Sequence, residues 1–501
     1  MAVLDQIPHV ETVAQHRPWL RAIVRDEGWQ RAIDHLANGR CTLLSLWADV
    51  PYVHMALLEE QARDIAVVSY VATDGAYPSV AARHPAAGRL ERAIRDLFGL
   101  EASGAPDSRP WLDLGHWDVR HPLGNKEEAR PHPPYAFLPS EGQGLHQIAV
   151  GPIHAGIIEP GHFRFTANGE RVVRLEQRLG WVHKGIESLM TGAPLMAAAK
   201  LAARSSGDST VAYAYAFAQA AEAACQVVPP PRAIYLRALM AEVERLANHF
   251  GDIGAICNDA SFALMHAQCG ILRERTLRAA EACFGHRLMM DLIVPGGIAR
   301  DVTADGISQL LKLVAEARRT FPRLIELYDK TASLQDRTVT TGIVRPDYAR
   351  SFGAGGYVGR ASGRAFDARS ALAYAPYGDL KFDVPVLQAG DVNARIWVRI
   401  REVEQSLALI EQILELLPAG GTLTAFEVIR PGEGMALAEA FRGDVLIWLR
   451  LDTGARVARC HLRDASWFQW PLLEAAVEDN IVADFPICNK SFNCSYSGHD
   501  L

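Results

Sequence analysis

The chain has 501 residues, 49% hydrophobic and 22% charged, with a formal net charge of -7. That length supports two to four domains and a large apolar core, and the mild acidity leaves no basic footprint for nucleic acid. Met1-Ala-Val-Leu-Asp-Gln lacks a basic segment followed by an apolar one, and no run of about 18 apolar residues occurs, so neither a signal peptide nor a membrane-spanning helix is expected.

Residues 1–123 read as a small α/β unit. Apolar, partly β-branched runs at 42–48, 53–58 and 65–71 are short enough for strands. Between 85 and 99 a helix is predicted: Pro85 opens it, Leu90, Ile94 and Leu97 form its apolar stripe, and Gly99 closes it. Residues 124–141 are polar and proline-rich, a linker at the domain boundary. Residues 142–501 form a second, mainly helical domain with minor β elements, so the fold class is α+β.

Within that second domain, 211–224 is alanine-rich and apolar on nearly every face, the mark of a central, closely packed helix. The stretch 232–253 is helical with charges on one side. There Arg237, Glu242, Glu244, Arg245 and His249 read as a solvated face of i, i+3 and i, i+4 pairs, or as packing against an assembly. A helix begins near Thr303, and another at 400–417 stops at Pro418 and Gly420-Gly421. Strands 446–451 and 456–462 flank an Asp452-Thr-Gly turn. The eight cysteines are dispersed, with no C-x-x-C pair, and read as reduced thiols in a cytoplasmic chain.

Tyr77-Pro-Ser-Val, Pro85-Ala-Ala, Glu91 to Gly99, Gly104 to Arg109 and His121-Pro-Leu-Gly124 follow one another in an order that resembles the 30-kilodalton subunit of respiratory complex I. Gly151 to Phe165, Gly180-Trp-Val-His-Lys-Gly-Ile-Glu187, Arg237 to His249, Gly359 to Gly363 and Gly390-Asp391 with Arg395 resemble the 49-kilodalton subunit and the large subunit of group 4 membrane-bound nickel-iron hydrogenases. Fusion of both halves is similar to the hydrogenase-4 and formate-hydrogenlyase branch.

The resemblance implies a nickel-iron centre held by two C-x-x-C pairs, because soft thiolates match nickel and low-valent iron. The first pair falls on Arg204-Ser-Ser-Gly-Asp-Ser209, where Ser206 and Ser209 replace the thiols and Tyr213 replaces a histidine. The second falls on Ser491-Phe-Asn-Cys-Ser-Tyr-Ser-Gly-His-Asp-Leu501, where Ser495 and Gly498 replace them. Serine is a hard, protonated oxygen and glycine offers no ligand, so neither a metal nor another cofactor is expected in this chain. Many nickel-bearing relatives carry a C-terminal extension that is lost on metal loading, and none is expected here. Cys488, Cys494 and His499 have no familiar zinc spacing and read as thiols packed around a returning tail.

By the same resemblance the vacated site is part of a quinone chamber, yet Ile158 and Gly207 stand where the headgroup contacts belong. The remaining candidates are Glu159, His154, His183, Arg204 and Asp208, with His162 and Arg395 around the same cavity. Carboxylates and imidazoles suit proton relay, and the histidines equally suit structural hydrogen bonds. Asp208 is an anion pairing with Arg204 or a new proton acceptor. The family implies an NAD(P)H:quinone-type oxidoreductase with NAD bound elsewhere, since no G-x-G-x-x-G turn is present. Its implied partners are an iron-sulfur small subunit of the 20-kilodalton type, a ferredoxin-like subunit and membrane ion-translocating subunits, with this chain peripheral on the inner face of the membrane. The rivals are a non-catalytic scaffold and an active hydrogenase. A redox subunit should keep a cavity open at Ser206, Ser209 and Ser495; a scaffold should fill it with Tyr213 and Tyr496. The tail 493–499 is expected to lie beside 204–213.

Overall fold

The computed structural model describes residues 3–129, 134–425 and 431–501, so residues 130–133 of the linker lie outside the described residues. The three predicted N-terminal strands form as Thr42–Asp49, Tyr52–Glu59 and Asp64–Val71, an antiparallel meander. Leu20–Val24 joins it in parallel beside Asp64–Val71, and Glu11–Val13 completes a five-stranded sheet. The helices Asp26–Ala37 and Gly88–Phe98 pack on this unit, and Gly99 closes the second in the left-handed region that glycine adopts without strain.

The second domain holds the predicted helices as Thr210–Cys225, Pro231–Asp259, Ala304–Lys330 and Val392–Leu416, joined by Ala263–Phe284. The architecture is α+β, with a sheet domain first and a mainly helical region after it. Thr210–Cys225 is buried along nearly all its length against the strands Gly432–Ala440 and Gly443–Leu451. A Cβ on Gly434 would stand 1.8 Å from the Ala220 carbonyl oxygen, so only glycine admits this approach. Among the described residues, no helix is long and apolar enough to cross a membrane.

The two halves share structure beyond the linker. His16–Arg17 adds in parallel to Gly432–Ala440, giving a four-stranded sheet with Gly443–Leu451 and Val457–Arg463. Trp47 of the first sheet packs on Trp448 of the second at 5.7 Å, and Arg21 bridges Glu433 at 2.8 Å. The described part of the linker is strapped down as well: Arg92 donates to the Tyr135 hydroxyl and Arg109 to the Ala136 carbonyl.

The charged stripe of Pro231–Asp259 is a correction to the solvated reading. Arg237, Glu242, Glu244, Arg245 and His249 are each no more than 7% exposed. Val392–Leu416 presents a stripe of the same helical spacing, and the two interlock: His249 Nε2 lies 2.7 Å from Glu402 Oε2, and Ser406 donates to Glu242 at 2.7 Å. Arg369 and Arg360 complete the set, on Glu242 at 2.9 Å and Glu402 at 2.7 Å. Buried charges persist only when paired in this way. Arg237 pairs separately with Glu222, at 2.6 Å.

Candidate active site

Two segments far apart in the chain build the site. The helix Leu195–Ala203 ends at Arg204, and the backbone turns through Ser206 and the Gly207–Ser209 turn into Thr210–Cys225. At the other end, Phe485–Phe492 stops at Asn493, and Ser495 caps the last turn, Tyr496–Asp500, by accepting from the Gly498 N–H at 2.9 Å. The tail thus lies against 204–213, with Ser206 Oγ and Ser495 Oγ 2.9 Å apart.

The hydrogen bonds run in one direction. Gly498 donates to Ser495, whose hydroxyl turns to Ser206, and Ser206 donates to Asp208 Oδ1 at 2.9 Å. Arg442 meets Asp208 with both ends of its guanidinium, at 2.7 and 2.5 Å, and also donates to Ser209 Oγ at 3.2 Å and to the Asn493 carbonyl. Burial pushes the Asp208 carboxyl up, but the Arg442 charge and the Arg442 and serine hydrogen bonds outweigh it and hold the group below its ordinary value. Asp208 is therefore a fixed anion paired with Arg442. Its expected partner, Arg204, caps its own helix by returning to the Lys200 carbonyl and pairs with Asp291 at 2.5 Å.

The donor set does not match a thiolate-bridged metal pair. Three of the four positions carry hydroxyls already committed to hydrogen bonds, and the positive charge beside them is a guanidinium. A Cβ at Gly498 would stand 2.7 Å from Asp464 Oδ2, which the Tyr213 hydroxyl holds at 2.8 Å, so the fourth position has no room for a side chain. Burial raises the Cys494 thiol far above its ordinary range, keeping it protonated. His499 stacks on Trp467 at 4.1 Å and receives the Trp111 N–H at 3.3 Å, consistent with a packed tail. Among the described residues, no three His, Cys, Asp or Glu side chains stand close enough together to hold a metal.

Ser206, Asp208 and Ser495 face a cleft of about 700 Å³. Glu159 lines its mouth and accepts the Ser497 N–H at 3.1 Å; Ile158 and Gly207 also line it. His154 stands behind, its Nε2 3.3 Å from the Tyr496 hydroxyl. The other candidates face elsewhere. His183 puts Nδ1 2.7 Å from the Asp500 carbonyl oxygen and stacks on Trp117, because its loop runs along the far end of the tail. His162 sits under the Gly151 carbonyl, and burial lowers its pKa. Arg395 is buried on Ser491 and the carbonyls of Gly390 and Gly342.

Residues 260–431 match the family model of the respiratory-chain NADH dehydrogenase 49 Kd subunit, and residues 22–132 that of the 30 Kd subunit. Formate hydrogenlyase subunit 5 of Escherichia coli (strain K12) is 34% identical, over 85% of this chain and 77% of its own length. Hydrogenase-4 component G of the same organism is 32% identical, over 100% of this chain and 90% of its own. The chain belongs to the membrane-bound hydrogenase and complex I large-subunit family. A chain in the structure of the membrane-bound sulfane sulfur reductase, an archaeal respiratory membrane complex, superposes with a TM-score of 0.68 at 26% identity, covering 72% of this chain and 99% of that one.

The family resemblance located the serines but missed the groups that now surround them. Arg442 arrives from the hairpin between Gly432–Ala440 and Gly443–Leu451, and Asp464 from the end of Val457–Arg463. Nothing in their local sequence marks them as site residues. Asn248, which donates to the Asp208 carbonyl at 2.8 Å, carried a signal: it lies in the same R-x4-E-x2-R-x2-N-H motif that holds His249.

Proposed function

We propose that this family member is the large subunit of a hydrogenase-4-like, complex-I-like membrane oxidoreductase that couples electron transfer to ion translocation, and that it works without a nickel-iron centre. The observation that carries this reading is the Ser206–Asp208–Arg442–Ser495 cluster on the wall of an open cleft. A polar, substrate-sized opening remains beside Ser206 and Ser495, two of the four thiolate positions, and Asp208 and Arg442 on its wall already balance each other's charge. Electrons reach the cleft from an iron-sulfur cluster in a small subunit of the 20-kilodalton type, alongside a ferredoxin-like subunit, and membrane subunits move the ion. The chain docks peripherally on the inner face of the membrane. Quinone is the acceptor by family, taking two electrons and two protons to become quinol. Because Arg442 holds Asp208 ionised, Glu159 at the mouth is the group that exchanges protons, and Asp208 stays the fixed anion of Arg442.

A non-catalytic coupling subunit is the second reading, favoured by the way Arg442 and Asp464 seal Ser209 and the Gly498 position. The two separate in membranes carrying the assembled complex with Glu159→Gln. Catalysis predicts that quinone-reductase turnover falls while the complex stays assembled; coupling alone predicts unchanged turnover. Sulfane sulfur as a parallel acceptor tests the quinone assignment. Stoichiometric nickel with hydrogen evolution in the purified complex would overturn both readings.

A further inference from the structure

Behind the wall of the serine cleft lies a second carboxyl, Glu244, on the helix Pro231–Asp259. Asp208 meets a guanidinium, but Glu244 meets backbone: it accepts the Val211 N–H at 2.7 Å on Oε2 and the Ala212 N–H at 3.1 Å on Oε1. Burial outweighs those two bonds and the Arg245 charge, and the nearby Asp208 charge adds to it, so the group is pushed up to about 8 and carries a proton at neutral pH. Both N–H groups are donors, so the carboxylic proton needs an acceptor elsewhere.

The surroundings supply one. A cavity of about 20 Å³ borders Glu244, which is room for a single water. Gly207, Asp208, Asn248 and Arg273 line both this cavity and the cleft, so the two share a wall. Asn248 fixes the spacing across it. Its Nδ2 donates to the Asp208 carbonyl at 2.8 Å and to the Glu244 carbonyl at 2.9 Å, leaving Oδ1 as a further acceptor. Besides Asp208 and Glu244, the charged groups on the small cavity are Arg273 and Arg287, and Glu274 holds Arg287 at 2.7 Å. Arg245, on the same helix as Glu244, turns to the carbonyls of Glu439 and Ala440.

We infer that Glu244 is a second proton-carrying residue of the cleft, exchanging its proton through one water in the cavity behind Asp208. The destination of that proton, though not the exchange itself, rests on the redox reading of the cleft. Quinone reduction consumes two protons, and a single carboxyl at the mouth passes one at a time. Two electrons arrive from the iron-sulfur cluster of the small subunit, one proton comes from Glu159 and one from Glu244. The two quinone carbonyl oxygens become hydroxyls, and both carboxylates take protons back from solvent.

Two measurements test the exchange and the destination separately. On the full-length chain, the infrared band of a protonated carboxylic acid should persist at pH 7, fade as pH rises through about 8, shift on transfer to heavy water, and be missing in Glu244→Gln. Ala247→Val narrows the one-water cavity and should slow the heavy-water shift by at least about tenfold. Leu288→Phe, at a half-buried position on the same cavity, does so should the first variant fail to fold. In membranes carrying the assembled complex, Glu244→Gln should lower quinone turnover at least about tenfold with KM little changed. It should also remove the alkaline limb of the pH profile, which a merely structural carboxyl would leave in place. An absent band, a band that does not exchange, or undiminished exchange in a folded cavity-filling variant overturns the proton site. Unchanged turnover and pH profile in Glu244→Gln, beside an active parent, overturn its part in the reaction. A parent without quinone turnover overturns the redox reading instead, and exchange of the band then upholds the site.

Discussion

Gly498→Ala adds a single Cβ where the family would carry a thiol, and its sign is decisive. In the helical turn Tyr496–Asp500, alanine should by propensity alone stabilise by up to about 1 kcal/mol. The structure reverses that. The new carbon would meet Asp464 Oδ2 at 2.7 Å and Ser495 Oγ at 2.9 Å. Asp464 cannot swing aside cheaply, because Tyr213 donates to Oδ2 at 2.8 Å and the Ser466 N–H to Oδ1 at 2.8 Å. Overpacking of this kind costs about 1–3 kcal/mol, and displacing a hydrogen bond to a carboxylate about 1.5–3 more. A net destabilisation of roughly 2–4 kcal/mol is expected in urea unfolding followed by circular dichroism. Asp464→Ala removes the closer of the two obstacles and leaves Ser495 Oγ, so in that background Gly498→Ala should cost at least about 1 kcal/mol less, a coupling that a double-mutant cycle measures directly. A neutral or stabilising Gly498→Ala in the otherwise unchanged chain would show that the fourth thiol position is open, and the fit argument would fail.

Asp208→Asn leaves the Arg442 guanidinium without its anion. The pair is buried on the arginine side, with the aspartate side chain 36% exposed, so the loss should be about 2 kcal/mol, below the 3–5 typical of fully buried pairs. The depressed Asp208 pKa gives a stability contribution present above the ordinary carboxylate value of about 3.9 and lost as pH falls through the folded value; acid unfolding of Asp208→Asn should lack that component. Burial raises Glu244 to about 8, outweighing the N–H groups of Val211 and Ala212 that it accepts. The native chain therefore keeps a proton there that the unfolded chain releases near pH 4, and stability declines as pH rises between those values. Unfolding at pH 5 and 8.5 should differ less in Glu244→Gln than in the parent, by on the order of 3 kcal/mol. Glu159→Gln in the assembled complex should lower turnover about a hundredfold, the scale of one lost acid-base group.

The N-terminal unit was legible because its signals are local. Short, continuous, partly β-branched apolar runs mark its strands, and Pro85 and Gly99 bracket its helix. Gly432–Ala440 was not legible. Gly-Glu-Gly-Met-Ala-Leu-Ala-Glu-Ala has no β-branched residue, and it is a strand because its small side chains admit the helix Thr210–Cys225, a property of two segments together. The charged face of Pro231–Asp259 misled for a related reason: solvated and buried charged stripes share one period. What distinguishes them is a partner stripe, and Arg399, Glu402 and Ser406 supply it at matching spacing, with Arg399 on Asp252 at 3.1 Å.

At the site, the replaced ligands could be read one position at a time, and their replacements could not. The resemblance implies that coordination bonds once tied the first segment to the tail. In this chain the tie is distributed. Ser206 meets Ser495, Glu159 holds the Ser497 N–H, Arg442 holds the Asn493 carbonyl, and Asp500 receives Gly180 and Val182. Each such bond contributes about 0.5–1.5 kcal/mol net, or up to about 3 when charged, so no single one replaces a metal. Their sum can, provided they form together. That requirement explains why Asp208 had to find Arg442 rather than its sequence neighbour Arg204: only Arg442, from a third segment, also donates to the tail at Asn493 and so joins all three pieces in one charged contact.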